Sequence, residues 1–230
     1  CTNSCRLTIY TFSGGRQYIS GNRCERGIGG QKNAHDVPNL FDYKLKRLFS
    51  YESLAPDQAP RGTVGIPRVL NMYENYPFWH TFFTKLGYRV VLSPSSNRQI
   101  YELGIESIPS ESECYPAKLA HGHVEWLIRQ KVDFVFYPAL FYERDEVEGA
   151  TNHYNCPIVT SYSENIKNNV EAIGNGQATL RNPFLSFRDI STVTEALTRE
   201  FAELPAREVA AAAAAGWEEL DRTRMDMRKK

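Results

Sequence analysis

The feature that most restricts the fold is an alternation, between residues 63 and 137, of short and nearly all-apolar runs with longer helical patterns. T-V-G-I-P-R-V-L (63–70), Y-R-V-V-L (88–92) and D-F-V-F-Y (133–137) read as strands. Residues 78–86, 97–103 and 114–130 lie between them and read as helices. Strands without polar alternation are buried on both faces, and helices linking successive strands imply parallel βαβ units. P-I-V-T-S-Y (157–162) reads as a further strand. The expected fold class is therefore α/β: an open, mostly parallel sheet with helices on both faces. An N-terminal cysteine-containing β-hairpin and a C-terminal helix accompany it. Pro67 brings no N–H to a ladder, so it predicts a bulge or an early end to the first strand.

A length of 230 residues divides on this reading into three parts. Residues 1–60 hold a hairpin, a glycine-rich loop and an amphipathic helix over 39–50; the proline-containing stretch 55–62 is the boundary. Residues 61–190 form the α/β domain, and 191–230 a helical connector, an ordinary exposed C-terminal helix being the other reading; the alanine block there, 210–215, has high helix propensity but little to bury. Lysine plus arginine number 27, equal to aspartate plus glutamate, so no net field recruits nucleic acid or an anionic membrane. No apolar run approaches the ~20 residues of a membrane span. Five cysteines, an odd number, read as reduced thiols of a cytoplasmic protein, available to metal or redox chemistry.

Three of those thiols flank the hairpin. Strands over 7–12 and 17–20 joined by Ser13-Gly14-Gly15 would bring Cys1, Cys5 and Cys24 toward one end. Cys-x3-Cys plus one further cysteine resembles a zinc or iron–sulfur knuckle short of its fourth ligand; a plain hairpin with free thiols is the alternative. Cys114 stands two residues before Pro116, and proline is tolerated only in a helix's first turn, so a helix begins there. Ser110 or Ser112 is expected to cap it, Ser110 with Glu113 having capping-box spacing. A thiol at that end feels the positive pole of the helix, which favours the thiolate and makes Cys114 a metal ligand or reactive thiol. A buried, inert cysteine is the other reading.

Ligands of open α/β sheets bind where strand ends meet helices. Residues 71–76 occupy such a place, and Asn71, Glu74 and Asn75 are expected to form a ligand or partner surface, while Phe78 and Trp79 pack the junction. The long polar stretch 140–156 carries His153 and Cys156, three apart, a spacing metal ligands use. Cys156 precedes an apolar run whereas Cys114 follows one, so a simple sheet would place them at opposite edges unless the loop folds back. His121 and His123 are two apart on a helix and are not paired as ligands. There is no G-x-x-x-x-G-K-[ST] and no G-x-G-x-x-G after the first strand. No Ser/His/Asp or Cys/His set emerges, so no catalytic residue is assigned.

Four blocks carry a resemblance: G-N-R-C-E-R-G (21–27), G-I-P-R-V-L-N-M-Y-E-N-Y-P-F-W (65–79), S-E-C-Y-P-A-K-L-A-H-G-H (112–123) and N-H-Y-N-C-P-I-V-T-S-Y (152–162). Together they resemble the domain of unknown function in large CoA-substrate-specific enzyme activases, relatives of the activators of 2-hydroxyacyl-CoA dehydratases and benzoyl-CoA reductases. The resemblance implies a role in an ATP-driven electron-delivery system, with a neighbouring ATPase domain and a dehydratase or reductase as partners. The chain looks like an excised middle piece of such a protein. More distantly it resembles one lobe of the dehydratase subunits, in which a cysteine opening a helix, with a lysine soon after, binds an iron–sulfur cluster. Cys114 and Lys118 match that pattern, and a second α/β lobe would supply further ligands. The Cys-Asp that the dehydratases carry after the following strand is Tyr137-Pro138 here.

Overall fold

A computed structural model describes residues 5–22, 39–147 and 149–229, in two units, Cys1–Tyr43 and Lys44–Lys230. In the first, β1 (Thr8–Thr11) and β2 (Gln17–Ser20) form the expected antiparallel hairpin, with Thr8 opposite Ser20. Cys5 is half-buried before β1, while Cys1, Cys24 and most of the glycine-rich loop lie outside the described residues. Helix α1 (Leu40–Phe49) begins where Asn39 Oδ1 accepts from the amides of Phe41 and Asp42.

The second unit is the α/β domain. Strands β3 (Thr63–Ile66), β4 (Arg89–Leu92), β5 (Phe134–Phe136) and β7 (Leu180–Arg181) form one parallel sheet in the order β4-β3-β5-β7, so the strand order reverses at β3. Residues 63–66 end at Pro67, as its missing N–H requires. The neighbouring strand continues past that point: after Pro138 the chain resumes as β6 (Ala139–Tyr142), paired in parallel with β8 (Phe184–Ser186). The ladder crosses the break through Val135 N–H to Thr179 O, Tyr137 N–H to Arg181 O and Ala139 N–H to Pro183 O, at 2.8, 3.0 and 3.0 Å. Donors toward this neighbour come from odd-numbered residues, so the N–H that Pro138 lacks would face β3, which has already ended. Proline is accommodated there for that reason.

The helices are α2 (Met72–Lys85), α3 (Arg98–Gly104), α4 (Tyr115–Arg129), α5 (Pro157–Asn169), α6 (Glu171–Gly174), α7 (Ile190–Glu200) and α8 (Ala206–Arg228). Helix α2 packs against α8, and α8 against α7, while α4 packs against α3 and α5. The core between sheet and helices is aromatic: Trp79, Phe82, Phe83, Phe136, Phe187 and Phe201 are fully buried. Trp79 lies 4.8 Å from Phe136 and Phe83 lies 5.0 Å from Phe136, ring centre to ring centre. Phe78 and Trp79 do pack the junction as expected, both with no exposed surface.

Glycine permits two close helix contacts. A Cβ on Gly122 of α4 would stand 1.7 Å from the carbonyl oxygen of Ile100, and one on Gly104 would stand 2.2 Å from the amide of Gly122. Gly216 of α8 meets the Phe78 carbonyl in the same way, a Cβ falling 2.9 Å from it. The alanine block thus has more to bury than its composition promised: Ala212 and Ala213 are covered because small residues let α8 settle onto α2.

Three expectations are corrected. Residues 157–162 are helix, not strand: Pro157 stands at the first turn and the Cys156 thiol accepts from Val159 N–H at 3.4 Å. Start signals and one-sided burial there outweigh the β-branched Ile158, Val159 and Thr160. Helix α2 begins at Met72 rather than near residue 78, with Pro77 inside it. Strand pairing within 139–142 takes the first residues of what read as one long loop.

Candidate functional site

Helix α4 leads into the start of β5, and α5, through the short α6, into that of β7, so their N-termini lie at the carboxyl edge of the sheet. Cys114 and Cys156 are the residues that cap them. Both thiols are exposed, and each is followed within two residues by proline. The opposite-edge placement of the two thiols is overturned, because residues 153–155 fold back along β6. Asn155 N–H donates to Phe141 O at 2.9 Å, and Glu143 N–H to His153 O at 2.8 Å.

The capping expected of Ser110 or Ser112 does not occur. Cys114 itself is the cap residue, its carbonyl accepting from the amides of Ala117 and Lys118 at 3.0 and 3.2 Å. The two serine hydroxyls pair with each other at 2.7 Å. Glu113 turns instead to α5, where its carboxylate accepts from the Tyr162 hydroxyl and from Asn165 Nδ2, the latter at 3.0 Å. Behind that contact His121 Nε2 stands 3.0 Å from the Tyr162 oxygen, and His121 Nδ1 lies 2.8 Å from Ser107 Oγ. With Tyr162 donating to Glu113, the histidine donates through Nε2 and accepts at Nδ1. Burial lowers the His121 pKa to about 4, so the imidazole is neutral at pH 7. Burial, then Glu113, then the nearby Tyr137 and Cys114, push the Tyr162 phenol far above its ordinary range. Tyr137 is fully buried and its hydroxyl has no hydrogen-bond partner among the described residues; burial and then Cys114 raise it too. Lys118, one turn into α4, donates to Glu111 O at 2.6 Å.

His123 faces another way, as its spacing from His121 requires. Its two nitrogens bond Ser93 and Ser96 at 2.7 and 2.9 Å, tying α4 to the segment after β4.

Past the early end of β3 there is a cleft of about 390 Å³. The start of α2 forms one wall and residues 143–147 and 150–155 the other. Asn71, Glu74, Asn75 and His153, four residues singled out from sequence, all line it. Lys118 does not, and belongs to the thiol-bearing edge. Asn71 is reached through Leu70, whose φ of 46° is a left-handed conformation uncommon for leucine and turns the chain sharply into α2. Asn75 is 1% exposed and donates through Nδ2 to Glu143 Oε2 at 3.2 Å. Asn155 donates to Glu143 Oε1 and to Leu140 O, both at 3.0 Å. Glu143 and Asn155 were not anticipated from sequence. The available signal was the first charged side chain after the apolar stretch of β5 and β6.

Among the described residues no three His, Cys, Asp or Glu side chains converge as a metal would require. Also among the described residues, no helix is long and apolar enough to cross a membrane. No curated protein and no solved structure matches the chain. A family model does, over residues 63–230, which takes in the whole parallel sheet, both thiol-bearing helix starts and the cleft. The chain thus belongs to the family described as the CoA enzyme activase uncharacterised domain.

Proposed function

We propose that this domain serves an activase-type electron-delivery system for 2-hydroxyacyl-CoA dehydratase-like chemistry. In this reading it contributes thiolates, and its cleft is a docking surface. Cys114 and Cys156 are half of a four-thiolate set for an iron–sulfur cluster, completed by another lobe of the parent protein. The observation that supports this most is the matched setting of the two thiols: both exposed, each opening a proline-started helix, on neighbouring helices at one sheet edge. Sequestered structural cysteines are normally buried, and these are not.

When bound, such a cluster supplies a low-potential electron. The protein's part is to hold the thiols and set their surroundings. The Tyr162–Glu113 and Tyr162–His121 hydrogen bonds fix the first turn of α4 against α5, which fixes the spacing of the two caps. The unpartnered Tyr137 hydroxyl is a free donor close to Cys114, of the kind that tunes a cluster through bonds to its sulfur atoms. ATP hydrolysis belongs to a neighbouring ATPase domain, and the electron's acceptor is a dehydratase or reductase. A zinc-bearing, non-redox module is the competing outcome of the test.

The test is iron, zinc and acid-labile sulfide analysis of protein purified anaerobically together with its partner domains. Brown protein whose iron and sulfide fall together in Cys114→Ser and in Cys156→Ser supports the proposal. Colourless protein holding stoichiometric zinc, retained in both variants and lost in Cys24→Ser, overturns it.

A further inference from the structure

Among the described residues, one charged side chain of the cleft wall forms no ion pair. The wall carries Glu74, Glu143, Arg144 and Glu146. Lys44 bridges Glu74 at 2.6 Å, Asp221 bridges Arg144 at 2.5 Å, and Arg224 pairs with Glu146. Glu143 forms no ion pair within 4.0 Å among the described residues; amides alone, from Asn75 and Asn155, donate to it. A carboxylate offers about four acceptor positions, so further donors can be taken. Burial pushes the Glu143 pKa upward, and the Asn155 and Asn75 amides and the more distant charge of Arg224 offset that only in part. Beside it, Asn71 has both its amide nitrogen and its amide oxygen covered and unpaired among the described residues.

We infer that this cleft binds an organic monocation, an alkylammonium or guanidinium head group, with Glu143 as its counter-charge. The ion pairs set the number: of Glu74, Glu143, Arg144 and Glu146 only Glu143 has no partner within 4.0 Å among the described residues, and one positive charge matches it. The acceptors set the chemistry, since the Glu143 oxygens and Asn71 Oδ1 take N–H groups, while Asn71 Nδ2 remains a donor. The exposed ring of Tyr154, on the same wall, offers a face to the cation. The volume of about 390 Å³ admits a head group with several carbons of its stem. The location is that of ligand sites in open α/β sheets, at the carboxyl end of the strand where the order reverses. The head group has two sources, a lysine or arginine of a docking protein, or a free amine. The inference rests on the docking role proposed for this cleft and not on the thiolates.

Arg144 Nη1 is also buried and unpaired, so a carboxylate is the competing ligand and belongs in the test. The full chain is titrated with n-butylammonium, n-butylguanidinium, Nα-acetyl-lysinamide, butyrate and butanol, following the side-chain amide resonances of Asn75 and Asn155. Saturable binding of the cations only, weakened about tenfold or more in Glu143→Gln and kept in Glu208→Gln, is the expected result. Tighter binding of the lysinamide than of n-butylammonium assigns the site to a protein side chain, and equal or weaker binding assigns it to a free amine. Butyrate or butanol binding as well as n-butylammonium overturns the inference in the wild-type chain alone, whether or not the variant folds. So does the absence of saturation by any cation up to about 100 mM, a limit weaker than about 1.4 kcal/mol of affinity. Cation binding that fails while iron and sulfide stay unchanged sinks this inference and leaves the thiolate proposal standing.

Discussion

Acidification should unfold this domain well before its carboxylates are titrated, because three histidines are buried in neutral form. His80 is 5% exposed, and His121 and His123 have no exposed surface. Burial brings each from an ordinary 6.5 to about 4, with Arg68 adding to the effect at His123. The folded pKa lies below the unfolded one, so the unfolded chain binds more protons. The associated stability is complete above about pH 6.5 and is lost as the pH falls toward about 4. Between about pH 7.5 and about pH 5, that linkage removes about 2 kcal/mol per histidine, or about 6 kcal/mol for three. A domain's whole stability is of order 5–15 kcal/mol. The groups facing the histidines moderate the loss without cancelling it: Glu113 near His121 and Glu219 near His80 both favour the protonated ring. Burial also raises Glu143, Glu125 and Glu200, which take up protons in the folded state and oppose the fall. The assay is urea unfolding by tryptophan fluorescence at steps across this range, with imidazole titrations by NMR on the folded protein. His123→Asn should flatten the slope by up to about 1.4 kcal/mol per pH unit at its steepest. A stability constant to within about 1 kcal/mol across the range, or imidazoles titrating near 6.5, would refute the reasoning.

Other substitutions probe packing. Gly122→Ala should cost more than about 3 kcal/mol in urea unfolding, since its Cβ meets the backbone of Ile100 at 1.7 Å; Gly216→Ala, at 2.9 Å from Phe78 O and with about 1 kcal/mol of helix propensity gained, should cost distinctly less. Equal effects would show that α3 and α4 yield as easily as α2 and α8. Tyr162→Phe should lower stability by about 1–3 kcal/mol, because it strips a donor from Glu113 and leaves the buried His121 Nε2 unpaired; an unchanged melting temperature counts against the bridge between α4 and α5. Glu219→Ala should cost about 3 kcal/mol, since Arg47 and Tyr51 both bond that largely buried carboxylate. Thermal melts of Glu219→Ala and of Glu208→Ala, whose partner Arg61 is at an exposed site, give the comparison.

Much of the architecture follows from sequence alone, because it rests on local rules. The apolar runs at 63–66, 89–92 and 134–136 could only be strands buried on both faces, and Pro67 marked where the first of them stops. Cys114 before Pro116 located the start of α4 to within a residue. Asn71, Glu74 and Asn75 were recognisable because polar side chains cluster there beside a strand end, and His153 only by its spacing from Cys156; the four line one cleft. Tertiary structure decided what those rules leave open. Residues 157–162 have a strand's composition, but the fold-back of 153–155 along β6 puts a helix start at Cys156, and so brings the two thiols to one edge. Glu143 gained its buried, amide-bonded setting only when β6 outran β3 and Asn75 and Asn155 converged on it from elsewhere in the chain. Local sequence fixes where a helix or strand begins, since its start depends on one or two residues. Which side chains meet depends on strand order and on where each strand ends, and those are settled by packing across the whole sheet.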